Sequence, residues 1–327
     1  MDNNKPYIKV ENLKKYFSTK RGLLHAVDDV SFEIKRGETL GLVGESGCGK
    51  STLGRCLIRL LDSTSGKVLL QNPEGEGYTD VTKVSAREMK ELRKRVQIVF
   101  QDPYSCLNPR LSVWELIAEP LIVNSIYDDK AAMRKRIREL MDTVGLAERL
   151  ENSYPHELDG GRRQRIGIAR SLALNPEFIV LDEPVSALDV CIQAQVLNLL
   201  NSLQKEFNYT YVFISHNLSV VRHVSDRIAV MYLGQIVELS EYKELFANPL
   251  HPYTQALLSA IPVAKLDVQR ERIILEGDVP SPIEPPDACR FAGRCRYAQE
   301  VCHHGTPPLT EFAPGHFVAC HFAGKLN

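Results

Sequence analysis

Hydrophobic and polar positions divide the chain into strand-rich stretches at both ends and a helix-rich stretch between them. Period-two alternation and short apolar runs predict strands at residues 7–10, 26–34, 38–43, 66–70, 96–100, 178–183, 210–215, 226–232 and 235–239. Helical periodicity predicts helices at residues 85–95, 113–123, 129–144 and 160–174. Strand–helix alternation that is interrupted and then resumes indicates an α/β fold with an inserted helical subdomain at about residues 102–174.

Length, charge and hydropathy exclude several classes of protein. The 327 residues allow about two domains, and 40 basic against 41 acidic residues give no bulk preference for nucleic acid or an anionic bilayer. The first six residues lack the apolar core of a signal peptide, and no apolar run approaches the roughly 20 residues of a membrane helix. We therefore expect a cytosolic protein that reaches a membrane only through a partner.

A complete G-x-x-x-x-G-K-S phosphate loop follows the predicted strand 38–43 and precedes a helix-permissive segment. The loop consists of Gly44, Glu45, Ser46, Gly47, Cys48, Gly49, Lys50 and Ser51, and Thr52 follows it. Its glycines allow backbone N–H groups to turn toward phosphates, and the new helix directs its positive end to them. Lys50 is expected to reach the β- and γ-phosphates and Ser51 to bind Mg²⁺, so the loop predicts nucleoside triphosphate binding.

Polar residues follow the ends of the predicted buried strands, where open α/β sheets bind ligands. Asp182 and Glu183 end an apolar strand, which predicts a water-mediated Mg²⁺ contact and a group that polarises the attacking water. His216 follows the next strand and is assigned a functional role for the same reason. Near the N-terminus, Tyr16 or Phe17 could stack on a base, and periodicity alone also allows either to be core.

Beyond residue 240 prolines break the chain into short pieces, which predicts a separate, loop-rich appendage. Four of the eight cysteines cluster in it: Cys289, Cys295, Cys302 and Cys320. Their spacing lacks paired C-x-x-C knuckles, so it identifies no metal, and zinc, an iron–sulfur cluster and unligated thiols all stay open. A bound metal would supply folding energy that so small a core lacks.

The ordered motifs over residues 5–245 resemble an ABC-type ATPase cassette. They are the phosphate loop, Gln101, Leu-Asp-Gly-Gly-Arg-Arg-Gln-Arg at 158–165, Leu-Asp-Glu-Pro at 181–184, Ser-Ala-Leu-Asp at 186–189 and His216. The resemblance implies a RecA-like core with a helical subdomain, and two cassettes that close head to tail over two ATP molecules. It also implies that Phe17, rather than Tyr16, is the adenine platform.

The same resemblance implies further roles for individual residues. Gln101 joins the Mg²⁺ site with Ser51 and Asp182 and senses the membrane partner. The general base is Glu183, and the γ-phosphate is contacted by His216. Gly160 and Gly161 begin a helix that faces the γ-phosphate bound by the other cassette. Asp189 contacts the opposite subunit across the dimer.

Two further segments, residues 101–110 and 251–258, are similar to the F-type ATPase subunit of dipeptide/oligopeptide importers, and the cysteine-containing tail resembles that family's C-terminal extension. This implies a cassette at 1–245, an extension at 246–327 and a [4Fe–4S] cluster on the four cysteines, with Zn²⁺ as the alternative. The implied partners are a second, non-identical ATPase subunit, two membrane permeases and an extracytoplasmic peptide-binding protein, with no nucleic acid. The implied location is peripheral, on the cytoplasmic face of the cell membrane.

One departure from the family pattern concerns the segment at residues 158–162, here called the signature segment. Asp159 stands where the family usually has a serine that bonds the γ-phosphate in trans. A carboxylate there repels the phosphate, by about 4 kcal/mol per unit pair at ~4 Å and an effective dielectric of about 20. We therefore predict that the composite site using Asp159 hydrolyses ATP poorly. The alternative is that Asp159 caps its helix as well as serine does and that Arg162 neutralises it.

Three other functions are compatible with some of these motifs. The same machinery could import another small solute, such as nickel, a glycoside or an opine, because the ATPase does not hold the substrate pocket. ABC cassettes also act in DNA repair and translation, but this chain has one cassette, near-neutral charge and no long heptad run. A small-molecule kinase would leave the Gly160–Gly161 pair and His216 unexplained.

Overall fold

The computed structural model describes residues 5–261 and 272–325, and within them it is a mixed α/β structure. Its strands are β1 Ile8–Thr19, β2 Gly22–Ile34, β3 Thr39–Val43, β4 Ser65–Gln71, β5 Tyr78–Asp80, β6 Val96–Val99, β7 Phe178–Asp182, β8 Thr210–Ile214, β9 Arg227–Tyr232, β10 Gln235–Glu241, β11 Thr310–Ala313 and β12 His316–Val318. Its α-helices are α1 Lys50–Leu57, α2 Ala86–Arg95, α3 Val113–Val123, α4 Lys130–Thr143, α5 Gly160–Leu172, α6 Val190–Phe207, α7 Leu218–Val224, α8 Tyr242–Ala247 and α9 Pro252–Ser259. Short 3-10 helices occupy Glu148–Leu150, Pro155–Glu157, Ala292–Arg294 and Glu300–His303.

The described chain divides into two compact units. The first consists of residues 5–83, 213–261 and 272–325, and the second of residues 84–212. Over the described ranges we find no helix with the length and apolar character needed to cross a membrane. The predicted domain boundaries at 102–174 and 245/246 stay predictions.

In the first unit, an antiparallel sheet is formed in the order β2-β1-β4-β5. The first two strands were predicted too short, as 7–10 and 26–34. In the structure, β1 continues to Thr19 and pairs there with Gly22 at the start of β2. Register shifts within this pairing interrupt the period-two alternation. The outer part of the hairpin is held by cross-strand hydrogen bonds without a regular apolar face, and for that reason the pattern failed to reveal it.

A second sheet of this unit has the strand order β11-β12-β10-β9-β3. Strand β3 is buried along all five residues and runs parallel to β9, which explains why it reads as a continuous apolar run. The tail contributes its own strands to this sheet, since β12 pairs antiparallel with β10. The loop-rich tail therefore packs as part of the same compact unit, a closer association than the expected separate appendage.

The second unit contains the helical stretch and the parallel pair β6–β7. Helices α3, α4 and α5 pack against one another, and their apolar faces supply the buried side chains. Helix α3 has the predicted bounds and begins with a capping box at Ser112, while α4 is capped by Asp129. A capping box at Ser85 likewise begins α2. These helix predictions are confirmed to within two residues.

Candidate functional site

In the first unit the phosphate loop connects buried β3 to α1. Gly44 and Gly49 have φ angles of +153° and +105°, a backbone region that favours glycine. A Cβ on Gly49 would lie 1.9 Å from the backbone oxygen of Ala26, so no larger residue fits there. The buried Nζ of Lys50 donates hydrogen bonds to the carbonyl oxygens of Gly44 (2.8 Å) and Glu45 (2.9 Å). The loop thus closes around its own ammonium group.

Glu45 in this loop is held by residues from the far end of the chain. Its backbone N–H donates to the hydroxyl of Tyr253 over 2.9 Å, 208 positions later. Its carboxylate accepts hydrogen bonds of 2.9 and 3.2 Å from Arg294, 249 positions later, and Arg294 also reaches the hydroxyl of Tyr232 at 3.5 Å. Sequence reasoning missed these contacts. The only available sign was that Tyr253 lies in the His-Pro-Tyr-Thr stretch that resembles peptide importers.

The two candidate aromatic residues differ in their surroundings. The hydroxyl of Tyr16 donates to Asp28, and its ring stacks on His25 with centroids 3.9 Å apart. Arg290 forms an ion pair with the same carboxylate. Burial works to raise the pKa of Asp28, but hydrogen bonds from Tyr16 and His25 and the charge of Arg290 outweigh it, so that pKa is lowered. Tyr16 thereby belongs to a polar network, whereas the ring of half-buried Phe17 lies under the Lys15 ammonium, with 4.8 Å between Nζ and the ring centroid.

His216 lies just past β8 in the first unit, with an exposed side chain. The next residue, Asn217, caps helix α7 by accepting a hydrogen bond of 3.0 Å from the N–H of Ser219. The backbone N–H of Asn217 also donates to the hydroxyl of Ser215. These bonds fix the turn on both sides of His216, which puts the imidazole at a strand's carboxyl end as the sequence predicted.

In the second unit the structure brings Gln101 and Glu183 together. Asp182 is the buried last residue of β7, and Glu183 follows it with a half-buried side chain and a φ of +48°. The amide of Gln101 donates a 2.9 Å hydrogen bond to the Glu183 carboxylate. A left-handed backbone at a glutamate is uncommon, and such strain clusters at functional sites. The geometry therefore supports a chemical task for Glu183.

The signature segment begins helix α5 in the same unit. Asp159 caps the helix: its carboxylate accepts a 2.8 Å hydrogen bond from the N–H of Arg162, whose side chain lies 3.5 Å away. Both side chains are about half exposed, at 56% and 47%. Gly161 is buried against Ile192 of α6, and a Cβ there would come within 2.5 Å of that side chain. Both features of the capping alternative for Asp159 are thus present, and poor hydrolysis stays a prediction.

Two arginines of α5 that sequence reasoning missed hold the segment following Gln101. The guanidinium of Arg163 lies 3.6 Å from the ring centroid of Tyr104. Arg170 donates a 2.9 Å hydrogen bond to the backbone oxygen of Cys106. Their spacing of seven residues on one helix face was the sign that could have revealed them. Asp189 sits exposed at the N-cap of α6 without a side-chain capping bond, and its contact with the opposite subunit stays a prediction.

The four tail cysteines all line one small pocket, together with apolar side chains that include Phe291. Burial, and to a smaller extent the neighbouring thiols, raises the pKa of Cys289 to about 11. Over residues 5–261 and 272–325, however, no three Cys, His, Asp or Glu side chains are arranged to hold a metal ion. The pocket groups the predicted ligands without forming a single-ion site, so neither the predicted cluster nor the zinc alternative is confirmed.

The sequence matches the family described as ABC transporter over residues 27–186, and the oligopeptide/dipeptide transporter C-terminal region over residues 237–302. It is 52% identical to the oligopeptide transport ATP-binding protein AppF of Bacillus subtilis, over 98% of each chain. It is 49% identical to the oligopeptide transport ATP-binding protein OppF of Haemophilus influenzae, over 95% of this chain and 93% of that one. The solved dimeric ATP-binding cassette MJ0796, bound to ADP and Pi, matches 72% of this chain and 98% of its own, with a TM-score of 0.64 and 31% identity.

Proposed function

Because the chain belongs to the ABC transporter ATP-binding proteins, we propose that it is the ATP-hydrolysing subunit that powers import of di- and oligopeptides. One observation carries the peptide assignment: relatives named oligopeptide transport ATP-binding proteins are about half identical to this chain over nearly their whole length. The match to an oligopeptide/dipeptide transporter C-terminal region supports it. No observation favours another small solute over peptides.

The phosphate loop is proposed to bind the triphosphate of ATP. The Lys50 ammonium now donates to two backbone carbonyl oxygens of the loop. When ATP binds, oxygens of the β- and γ-phosphates replace these two acceptors. Phe17 takes the adenine ring, because Tyr16 is held by Asp28. The remaining loop residues 44–52 offer N–H and hydroxyl groups. Mg²⁺ would neutralise charge at the phosphates, held by oxygens of Ser51 and Gln101 and, through water, by Asp182.

Hydrolysis is proposed to depend on Glu183 as the general base. Its carboxylate accepts a proton from water as the water oxygen attacks the γ-phosphorus, and the bond from that phosphorus to the bridging oxygen of ADP breaks. The hydrogen bond from Gln101 restricts the orientation of the Glu183 carboxylate. His216 contacts the γ-phosphate, where an N–H of the imidazole offsets developing charge.

The proposed assembly is a pair of non-identical ATPase subunits on two membrane permeases, supplied by an extracytoplasmic peptide-binding protein. Gly160 and Gly161 face the partner's γ-phosphate and Asp189 contacts the partner. Exposed apolar side chains in and just after α3 give a docking surface for a permease: Ile122, Val123, Ile126 and Tyr127. The proposed location is thus peripheral, on the cytoplasmic face of the cell membrane, with the cassette at 1–245 and the extension at 246–327.

The variant Glu183→Gln tests the ATPase assignment in transporter reconstituted into vesicles. ATP turnover and uptake of a labelled tripeptide should fall by at least about 100-fold, while MgATP binding stays within about threefold of the wild type. Glu206→Gln, at an exposed position on α6, is the matched control and should leave both unchanged. Undiminished ATP turnover in Glu183→Gln would show that Glu183 is not the general base. ATP-driven uptake of a different solute, without peptide uptake, would overturn the substrate assignment.

The tail is further proposed to hold a [4Fe–4S] cluster on Cys289, Cys295, Cys302 and Cys320. Four thiols around one pocket are the required donor set, and a cluster spreads its four irons, so its thiolates stand farther apart than around one ion. A zinc ion instead needs all four sulfurs at about 2.3 Å. A structural role follows most simply, because metal binding stabilises a small proline-rich segment.

Anaerobic purification with visible absorption and iron, sulfide and zinc analysis tests the cluster. A brown protein with about four irons and four acid-labile sulfides per chain is expected. Cys302→Ser should lose both, whereas Cys191→Ser, at an exposed position on α6, should keep them. Stoichiometric zinc in a colourless protein would make the tail a zinc site instead of a cluster site. A protein that contains neither iron nor zinc would overturn the proposal.

A further inference from the structure

Residues 290–294, between the first two tail cysteines, form an inter-cysteine loop whose two arginines point into the nucleotide-binding elements of the first unit. Arg290 donates hydrogen bonds to Asp28 and to the backbone oxygen of Leu233. Arg294 donates to both carboxylate oxygens of Glu45 in the phosphate loop. The two guanidinium-bearing side chains are only 6% and 9% exposed. Such burial separates them from ordinary surface arginines, which are mostly solvated.

Each polar group of Glu45 is engaged. Its N–H donates to Tyr253, its carbonyl oxygen accepts from Lys50, and its carboxylate accepts from Arg294. Two of these three partners come from the C-terminal part of the chain. The ring of Phe291, in the inter-cysteine loop, packs on the ring of Tyr253 with centroids 5.4 Å apart, so the loop contacts a second residue that holds Glu45.

The negative charge of Glu45 is expected to affect the binding of ATP. A carboxylate in a loop that cradles a triphosphate carries the same sign as its ligand, and like charges at short range in a partly buried site repel each other. The Glu45 side chain is only 26% exposed, so water screens its charge incompletely. Arg294, the buried cation beside it, offsets that charge and fixes the direction in which the side chain points.

We propose that Arg294 is a positioning residue for ATP binding, through which the C-terminal tail neutralises Glu45 and fixes the direction of its side chain in the phosphate loop. The inference rests on the proposed ATPase function and adds to it a requirement for the tail. Arg294 touches Glu45 and not the reacting atoms, so it acts on nucleotide affinity more than on the chemical step.

A charge cycle on the full-length protein tests this, with MgATP dissociation constants from titration calorimetry. Arg294→Gln should weaken MgATP binding about tenfold, because it leaves the carboxylate uncompensated. Glu45→Gln leaves the Arg294 cation uncompensated beside the phosphates and should tighten MgATP binding about threefold. The double variant Glu45→Gln/Arg294→Gln should return to within about threefold of the wild type, and Arg294→Lys should retain most of the affinity.

Arg296→Gln is the matched control, since Arg296 is exposed on the same tail and donates to Tyr297; its affinity should not change. In the reconstituted transporter, Arg294→Gln should raise the KM for ATP about tenfold and leave kcat within twofold. A purely structural arginine would lower the melting temperature of Arg294→Gln and of the double variant alike, without rescue of affinity.

The outcomes separate this inference from the proposed function. If the wild type binds no MgATP, the proposed function fails. If the wild type binds and Arg294→Gln binds within twofold of it, or the double variant stays as weak as Arg294→Gln, the inference fails. If Arg294→Gln does not fold, Glu45→Gln decides alone: tenfold weaker binding there would contradict a repulsive role for the carboxylate.

Discussion

Glu45 in the phosphate loop and Asp159 in the signature segment are both carboxylates at the glycine-rich start of a helix, yet they are neutralised differently. Glu45 pairs with Arg294, 249 residues away, at 2.9 Å and with side chains 26% and 9% exposed. Asp159 pairs with Arg162, three residues away, at 3.5 Å and with side chains 56% and 47% exposed. An exposed pair of this kind contributes about 0–1 kcal/mol, whereas breaking a buried one costs more.

This difference shows which of the two helix starts depends on the rest of the fold. The Asp159 pair forms as soon as α5 forms, because both partners belong to its first turn. The Glu45 pair forms only when the tail has folded onto the first unit. We therefore expect the phosphate loop to be sensitive to changes in the tail, and the signature segment to be sensitive mainly to its own residues.

Charge reversal of the two arginines should give the largest difference between the sites. Arg294→Glu places a second buried anion beside Glu45 and should weaken MgATP binding by about 100-fold in the isolated protein. Arg162→Glu places a solvated anion beside Asp159 and should change the same dissociation constant by less than twofold. Titration calorimetry measures both, with melting curves to show that each variant is folded. Equal effects of the two reversals would refute the distinction between buried and exposed pairs.

A smaller effect is expected from restoring the serine of the signature segment. In the transporter assembled with its second ATPase subunit, Asp159→Ser should raise ATP turnover at least about twofold, since two composite sites would then hydrolyse ATP instead of one. The serine still caps α5, so the variant keeps the helix start. Steady-state phosphate release measures the rate.

The control for that experiment is Asp142→Ser, which removes an exposed carboxylate from α4 and should leave turnover unchanged. Unaltered turnover in Asp159→Ser would show that the cap and Arg162 already remove the repulsion. The signature segment would then be as well neutralised as the phosphate loop, although by a weaker pair.

The sequence by itself determined the parts of this protein whose causes are local. The phosphate loop was readable because its glycines, lysine and serine are consecutive, and the structure has α1 starting at Lys50 as that pattern requires. Helix α3 was placed correctly because its apolar positions recur at helical spacing, and in the structure a capping box of Ser112 and Glu115 begins it. The α/β class followed from the order of strands and helices for the same reason.

Only the tertiary structure decided the parts that depend on distant partners. Arg290 and Asp28 meet across 262 positions. The pairing of β12 with β10 and the ion pair between Glu45 and Arg294 likewise join segments that no periodicity relates. Residue patterns encode neighbours along a helix or strand, whereas long-range pairs exist only once the hydrophobic core has brought their elements together.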